Sequence, residues 1–248
     1  MLKLDWQKCK QFFHESWHPK MQPIMESKEV AEIYERLKKD CQTKTIVPLS
    51  KDTFKSFMMP LDEIRIVWLL QDPYPNLYPN KLPHADGIAM SCSNSPDGKV
   101  QPSLEKFYDA ISKEYEEEFE YNKSLQYLVD QGNMFLNTDL TCEARKTESH
   151  SQLWEPFMKK VFNDILFDLT GIIYVVCGKS SKRLLKWINP LGNYIFELSH
   201  PASAAYSQSE WDSEGVFKNC NRILKGNNGV EIIWNYDEYK KFCNVPII

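Results

Sequence analysis

The sequence lacks the features of several protein classes. None of its apolar runs approaches the roughly 20 residues that a membrane-spanning helix requires. Its first residues, MLKLDW, contain neither the apolar core nor the small-residue cleavage site of a signal peptide. We therefore expect an intracellular protein, in the cytoplasm or the nucleus, that has no contact with a membrane.

Disulfide and metal-ligand patterns are missing as well. The seven cysteines are scattered and include no C-x-x-C pair, and the five histidines show no metal-like spacing. Such a set is typical of a protein in a reducing compartment. The sequence predicts no disulfide framework and no structural metal.

The sequence also has no excess of positive charge, which is the usual mark of a nucleic-acid binder. The net charge is -4, which argues against a surface that is basic throughout. A local cluster can still attract phosphate, although the same cluster can equally be the solvated face of a helix. The candidate cluster consists of Lys179, Lys182, Arg183 and Lys186.

Three strand-like apolar runs end at polar residues. The first is followed by Asp72, the second ends on Asn137 and the third is followed by His200. The carboxyl ends of strands in an open α/β sheet are where ligands bind, so these side chains are candidates for one polar pocket. Each of them can instead be an ordinary turn residue, because Asp-Pro and His-Pro are common turn sequences.

Strand-like runs alternate with helical periodicity along the chain, which predicts an α/β fold. We expect a mostly parallel four-stranded sheet with helices on both faces, in a single domain covering 1–248 whose first 60 residues are mostly helical. The segment 73–98 is rich in proline and is predicted to be a long loop. The predicted strands are 64–70, 134–136, 172–176 and 194–198, and the predicted helices are 28–39, one with Ser103 as its N-cap, 154–169, 180–188 and 214–224.

Six short motifs carry a resemblance to a known family. They are Gln-Asp-Pro-Tyr (71–74), Gly-Ile-Ala-Met-Ser (87–91), Pro-Ser-Leu (102–104), Phe-Leu-Asn-Thr-Asp-Leu-Thr (135–141), Ser-His-x-x-x-Trp (149–154) and His-Pro-Ala-Ser (200–203). The chain resembles the uracil-DNA glycosylase family, whose motifs occur in this order, over roughly residues 60–235. The resemblance implies the fold of that family and a DNA partner.

The resemblance also implies roles for individual side chains. Asp72 resembles the carboxylate that orients or activates water and stabilises the cationic sugar, and His200 resembles the donor to O2 of the departing base. Tyr74 resembles the ring that excludes a methyl group at C5, and Asn137 the amide that reads the Watson–Crick edge. The implied base-binding residues are Gln71, Tyr74, Met90 and Asn137.

Other motif residues are expected to contact DNA. The segments Pro102-Ser103 and Gly178-Lys179 resemble loops that pinch the DNA backbone. The segment after His200 resembles the wedge that enters the minor groove. The implied DNA-binding residues are Pro102, Ser103, Gly178, Lys179, Ser203, Ala204 and Tyr206.

Several positions depart from the family pattern. Pro75 stands where the family usually has histidine, Met90 replaces an aromatic residue, and the connection 75–86 is longer than usual. Ala204 stands at the position of the leucine wedge, with Tyr206 nearby as a substitute. These departures favour a looser pocket that admits a bulkier pyrimidine.

We expect a monomeric, monofunctional DNA glycosylase that removes a flipped-out pyrimidine, uracil by default, and leaves an abasic site. No cofactor or metal is expected, because water is the nucleophile. A lyase step is not expected, because no lysine nucleophile lies at a strand end. One alternative is a glycosylase of the same fold that excises a modified pyrimidine from viral DNA in antiviral defence. A second alternative is a non-catalytic DNA-binding or replication-scaffold protein.

Overall fold

A four-stranded parallel sheet lies at the centre of the computed structural model, which describes residues 4–243. The strands in these residues are Ile46–Val47 (β1), Ile66–Leu70 (β2), Asn133–Asn137 (β3), Cys142–Glu143 (β4), Ile173–Cys177 (β5) and Tyr194–Leu198 (β6). The central sheet has the order β3-β2-β5-β6 with every neighbouring pair parallel. The predicted fold class is confirmed.

Helices cover both faces of this sheet. In the described part of the chain they are Trp6–Cys9 (α1), His18–Met25 (α2), Lys28–Asp40 (α3), Pro102–Tyr115 (α4), Gln126–Val129 (α5), Glu155–Asp164 (α6), Pro201–Ser207 (α7), Val216–Asn228 (α8) and Tyr236–Cys243 (α9). The 3-10 helices are Lys10–Phe12, Glu15–Trp17, Ser50–Asp52, Lys55–Met58, Leu61–Glu63, Leu166–Asp168 and Ser181–Trp187.

Strand β2 separates the two hydrophobic cores. Successive side chains of a strand point to opposite faces, so Trp68 packs in the core beneath α4 and α8, whereas Val67 and Leu69 pack in the core beneath α2 and α6. All five residues of β2 are buried. This double burial explains its continuous apolar sequence, and it brings the residues after Leu70 out of the core at the carboxyl edge of the sheet.

Strand β6 forms one edge of the sheet, and its side chains are largely exposed. The Tyr194 N–H donates to Ile172 O at 2.9 Å, and Leu198 O accepts from the Gly178 N–H at 2.8 Å. Since backbone groups alternate in direction along a strand, the N–H and C=O of Ile195 and Glu197 face away from the sheet.

Some predicted boundaries were wrong. Helix α4 begins at Pro102 with Gln101 as its N-cap residue, so Ser103 lies inside the helix and is not its cap. Proline is well suited to the first helical position because the N–H it lacks would have no partner there. The predicted helix 154–169 is an α-helix only to Asp164 and is followed by a separate 3-10 turn, Leu166–Asp168. The segment predicted as a helix at 180–188 is a 3-10 helix, Ser181–Trp187.

The short antiparallel pair of β1 and β4 was not predicted, because two-residue strands carry no periodic signal. The prediction for 73–98 is confirmed, since no helix or strand occurs there. The loop is nevertheless ordered internally, with a bridge between Leu77 and Pro83. Residues 1–3, at the start of the predicted helical part, lie outside the described residues.

Candidate active site

The strand register brings the candidate side chains to one edge of the sheet. Leu70 is the register partner of Asn137, and Cys177 is the partner of Leu198. Since β2, β3, β5 and β6 are parallel, the residues that follow them emerge together. The structure therefore places Asp72, Asn137 and His200 at the same carboxyl edge.

Two donors hold the carboxylate of Asp72. The backbone N–H of Glu148 donates to Oδ2 at 2.7 Å, and Gln71 Nε2 donates to Oδ1 at 3.3 Å. Burial raises the pKa of Asp72 above its ordinary value; the N–H bond from Glu148 opposes this rise, and the negative charge of Glu148 adds to it. At neutral pH the result is an oriented, partly desolvated anion, which is suited to stabilising a nearby positive charge.

His200 is the N-cap residue of α7 and is held in one tautomer. Its Nδ1 accepts a hydrogen bond from the Ala202 N–H at 3.1 Å, so the proton of the neutral ring resides on Nε2. Burial lowers the pKa of His200 to about 4. At neutral pH the ring is therefore an uncharged donor through Nε2–H.

Gly178 makes room for this imidazole. A Cβ atom at position 178 would lie 2.9 Å from the His200 Cβ, and the backbone of Gly178 has a φ of +86°. Both the close approach and the left-handed conformation favour glycine at this position. Gly178 thus lies directly against His200, and the Lys179 side chain is exposed.

Tyr74 is fixed between two motif segments. Its hydroxyl donates to Met90 O at 3.0 Å and lies 2.7 Å from Ser103 Oγ. Since the phenol has one proton, Ser103 is the donor in the second bond. Burial raises the pKa of Tyr74, which keeps the hydroxyl protonated.

The remaining base-binding candidates have different environments. Met90 is buried and has a left-handed φ of 63°, which is unusual for a residue other than glycine. Asn137 is 7% exposed, and within residues 4–243 its side chain makes no hydrogen bond to protein. Gln71 accepts a hydrogen bond from Ser180 Oγ at 3.2 Å. The amide of Asn137 is therefore available to a ligand.

The structure separates the DNA-binding candidates into exposed and buried residues. Pro102 and Ser203 are exposed, whereas Ser103 is 4% exposed and its hydroxyl is engaged by Tyr74. Ala204 is 6% exposed and packs in the core, whereas Tyr206 is 86% exposed. The expectation that Ala204 enters DNA is corrected, because its side chain faces inward.

Sequence reasoning missed polar groups next to Asp72. Asp139 is buried, and its Oδ2 lies 2.6 Å from Arg183 Nη2. Burial raises the pKa of Asp139 to about 6, although the guanidinium of Arg183 opposes the rise. An acid two residues beyond Asn137 in the same strand-end motif was the available signal for Asp139, whereas no local pattern pointed to Glu148 or Ser180.

Within residues 4–243 no group of three or more His, Cys, Asp or Glu side chains could hold a metal ion. In the same part of the chain no helix is long and apolar enough to cross a membrane.

Comparisons with known proteins agree with this geometry. No protein-family model matches the chain. A protein of Francisella tularensis subsp. tularensis (strain WY96-3418) named uracil-DNA glycosylase is 30% identical over 197 residues, which cover 77% of this chain and 85% of the relative. The chain belongs to the uracil-DNA glycosylase family.

Two further comparisons support the assignment to the uracil-DNA glycosylase family. A Lacticaseibacillus casei (strain BL23) uracil-DNA glycosylase is 27% identical over 94% of this chain and 99% of its own length. The crystal structure of mimivirus uracil-DNA glycosylase has a TM-score of 0.82 and 22% identity, with 95% of each chain covered. At that identity the structural likeness shows the fold. These comparisons do not favour the modified-pyrimidine or scaffold alternatives.

Proposed function

We propose that this chain is a uracil-DNA glycosylase that hydrolyses the bond between uracil and deoxyribose and leaves an abasic site. The proposal rests on family membership and on one observation, the presence of Asp72, Asn137 and His200 at a single sheet edge. We further propose that it acts as a monomer on DNA inside the cell, in the cytoplasm or the nucleus.

The charges of the site fit this reaction. As the C1′–N1 bond breaks, positive charge develops on the sugar and the bonding electron pair leaves with the base. Asp72, held by two donors, opposes the positive charge and orients the water whose oxygen adds to C1′. The proton that this water loses is released to solvent and balances the charge of the departing uracil anion. His200 donates through Nε2–H to O2 of the departing base. Groups fixed before the reaction stabilise such charges without reorganisation.

The base-binding candidates account for selection of uracil. Asn137 presents an amide with no protein partner among the described residues, which can donate to O4 and accept from N3–H of a flipped base. Tyr74 is locked by Met90 O and Ser103, so its ring cannot swing aside for a methyl group at C5. Pro102, Gly178-Lys179 and Ser203 contact the DNA backbone, and Tyr206 occupies the position left by the extruded nucleotide.

Incubation with oligonucleotides that contain uracil, thymine or a bulky modified cytosine tests this proposal, with abasic sites as the readout. Excision of uracil alone is expected.

For Asp72→Asn we expect a turnover at least about 100-fold lower with DNA affinity nearly unchanged, because the carboxylate acts on the transition state. The exposed Asp62→Asn is the matched control. Absence of abasic sites in uracil DNA, or equal losses of binding and turnover in Asp72→Asn, would contradict the proposal.

A further inference from the structure

The turn 143–150 lies directly against Asp72. Its Glu148 N–H donates to Asp72 Oδ2 at 2.7 Å, and Glu148 has a left-handed φ of 57°. The turn is held by the Glu143 N–H bond to Ser149 Oγ at 2.6 Å. The last residue of the turn, His150, is buried, and its Nδ1 lies 2.8 Å from Thr141 Oγ1. The donor to Asp72 is therefore part of a fixed scaffold.

The side chain of Glu148 continues this arrangement. Ser180 Oγ lies 3.4 Å from Glu148 Oε1 and 3.2 Å from Gln71 Oε1, so one hydroxyl proton is shared between two acceptors. Gln71 Nε2 in turn donates to Asp72 Oδ1 at 3.3 Å. Asp72, Gln71, Ser180 and Glu148 thus form a closed ring. We call this set the Asp72 ring.

We propose that Glu148 is a positioning residue for the glycosylase reaction. Its backbone N–H orients Asp72. Its carboxylate completes the Asp72 ring and places a second negative charge near Asp72. This inference rests on the proposed function, because it assigns Glu148 an effect on Asp72 during catalysis. Glu148 is not one of the motif residues, and its role follows from its contacts alone.

Among the charged groups around Asp72, only some can act as independent charges. Asp139, after β3, is paired with Arg183 of the 3-10 helix Ser181–Trp187, and the thiol of Cys142 on β4 donates to Pro73 O. Lys179 is exposed beside Ser180. Glu148 is exposed and has no ion-pair partner within residues 4–243. Its charge is therefore the one that a single substitution removes most cleanly.

The charge of Glu148 has a defined sign of effect. It raises the pKa of Asp72, in addition to the rise that burial causes. Asp72 must be ionised to stabilise the sugar cation, so activity falls as pH drops through that pKa. Removing the charge lowers the pKa, and the acidic limb of the rate profile moves to lower pH.

Four variants of the full chain separate charge from hydrogen bonding. Glu148→Gln removes the charge and keeps the acceptor of the Asp72 ring. Glu148→Gly keeps the N–H in a conformation that glycine adopts freely. Ser180→Ala removes the hydroxyl without changing charge. The matched control is Glu118→Gln, which neutralises an exposed glutamate outside the site.

The readouts are single-turnover uracil excision across the acidic range and the ¹³C NMR titration of the Asp72 carboxyl. In Glu148→Gln and Glu148→Gly we expect both midpoints to move to lower pH. In Ser180→Ala the excision rate should fall about fivefold at every pH, which corresponds to one hydrogen bond of about 1 kcal/mol, with the midpoint unmoved. Thermal melting of each variant confirms that it is folded.

Two outcomes would overturn the inference: unmoved midpoints in both Glu148 variants, or an equal shift in Glu118→Gln. A wild-type excision rate in Ser180→Ala would show that the hydrogen bonds of the Asp72 ring do not contribute to catalysis. Failure of the proposed function is distinguishable, because then the wild-type protein does not excise uracil at all. The NMR titration still measures the effect of Glu148 on Asp72 in that case.

Discussion

At the scale of single residues, the absence of a side chain at Gly178 allows His200 to occupy its position in the site. Substitution Gly178→Ala would place a Cβ atom 2.9 Å from the His200 Cβ and push the imidazole away from its position. We expect excision about tenfold slower. Removing a catalytic donor altogether typically costs about 10²–10³-fold, and displacing one should cost less. Single-turnover kinetics on uracil DNA measure this loss.

Gly98→Ala is the matched control for that substitution. Gly98 has a similar φ of +80°, but a Cβ atom there meets nothing within 4 Å. It carries the same backbone strain without the contact to His200. Equal loss of activity in the two variants would mean that strain alone, and not displacement of His200, is responsible.

The neutral His200 also predicts a pH dependence of stability. Its folded pKa of about 4 lies below the roughly 6.5 of an unperturbed histidine, so the unfolded chain binds a proton in this range and the folded protein does not. The stability contribution is complete above about pH 6.5 and is lost as pH falls toward 4. Urea unfolding should show a shallower decline over this range in His200→Gln than in the wild type. Identical slopes would contradict the buried, uncharged state assigned to His200 in the folded protein.

Residue chemistry was predictable only where it coincided with a strand end. Asp72, Asn137 and His200 could be grouped from sequence because parallel strands end at one edge. Glu148 and Ser180 could not be found this way. Glu148 contacts Asp72 from a turn, and Ser180 contacts Gln71 and Glu148 from a loop, so both positions depend on contacts between segments distant in sequence. Asp139 was visible in its motif, but its pairing with Arg183 depends on how a 3-10 helix packs.

At the scale of elements, helix α7 determines which of the side chains after His200 are exposed and which are buried. It turns Ala204 into the core and Tyr206 outward, so the exposed phenol ring is the side chain available to occupy a vacated stack. We expect Tyr206→Ala to slow excision about tenfold in duplex DNA and less than about twofold in single strands, because only the duplex must be unpaired. Phe242→Ala, another exposed aromatic residue, is the control. Equal slowing on both substrates would exclude the wedge role.

Elements with long, strong patterns were predictable and short ones were not. Helix α3 was expected at 28–39 and spans Lys28–Asp40, because its apolar residues recur at helical spacing. Strand β6 is short, and it was found at its observed bounds because its mainly apolar run ends just before Ser199-His200-Pro201. The end of α6 at Asp164 was missed because the apolar spacing continues through the 3-10 turn that follows. Hydrophobic spacing reports which face is buried, and it does not distinguish an α-helix from a tighter turn.

At the scale of the whole molecule, a net charge of -4 must coexist with binding to a polyanion. Individual exposed cations must then provide the attraction for phosphate. Lys179 is exposed and directly follows Gly178, which lies against His200. We expect Lys179→Gln to weaken binding to all sequences alike. The slope of log affinity against log salt should change by roughly one, the effect of losing one phosphate contact.

Fluorescence anisotropy at several salt concentrations, with the slow Asp72→Asn variant as the background, measures this slope. Lys39→Gln, which removes an exposed charge from α3, serves as the control. If the two substitutions change the slope equally, binding responds to total charge and not to a contact at position 179.

The open border of the sheet at β6 has a consequence for handling the protein. Within residues 4–243 the outward-facing N–H and C=O groups of Ile195 and Glu197 have no backbone partner. Together with the exposed side chains of Tyr194 and Ile195, they form a template onto which another extended chain can add. Two features reduce this tendency. The strand is only five residues long, and its exposed Glu197 carries a charge that pairs with Lys182. Neutralising Glu197 would therefore favour self-association in concentrated solution long before it affected the fold.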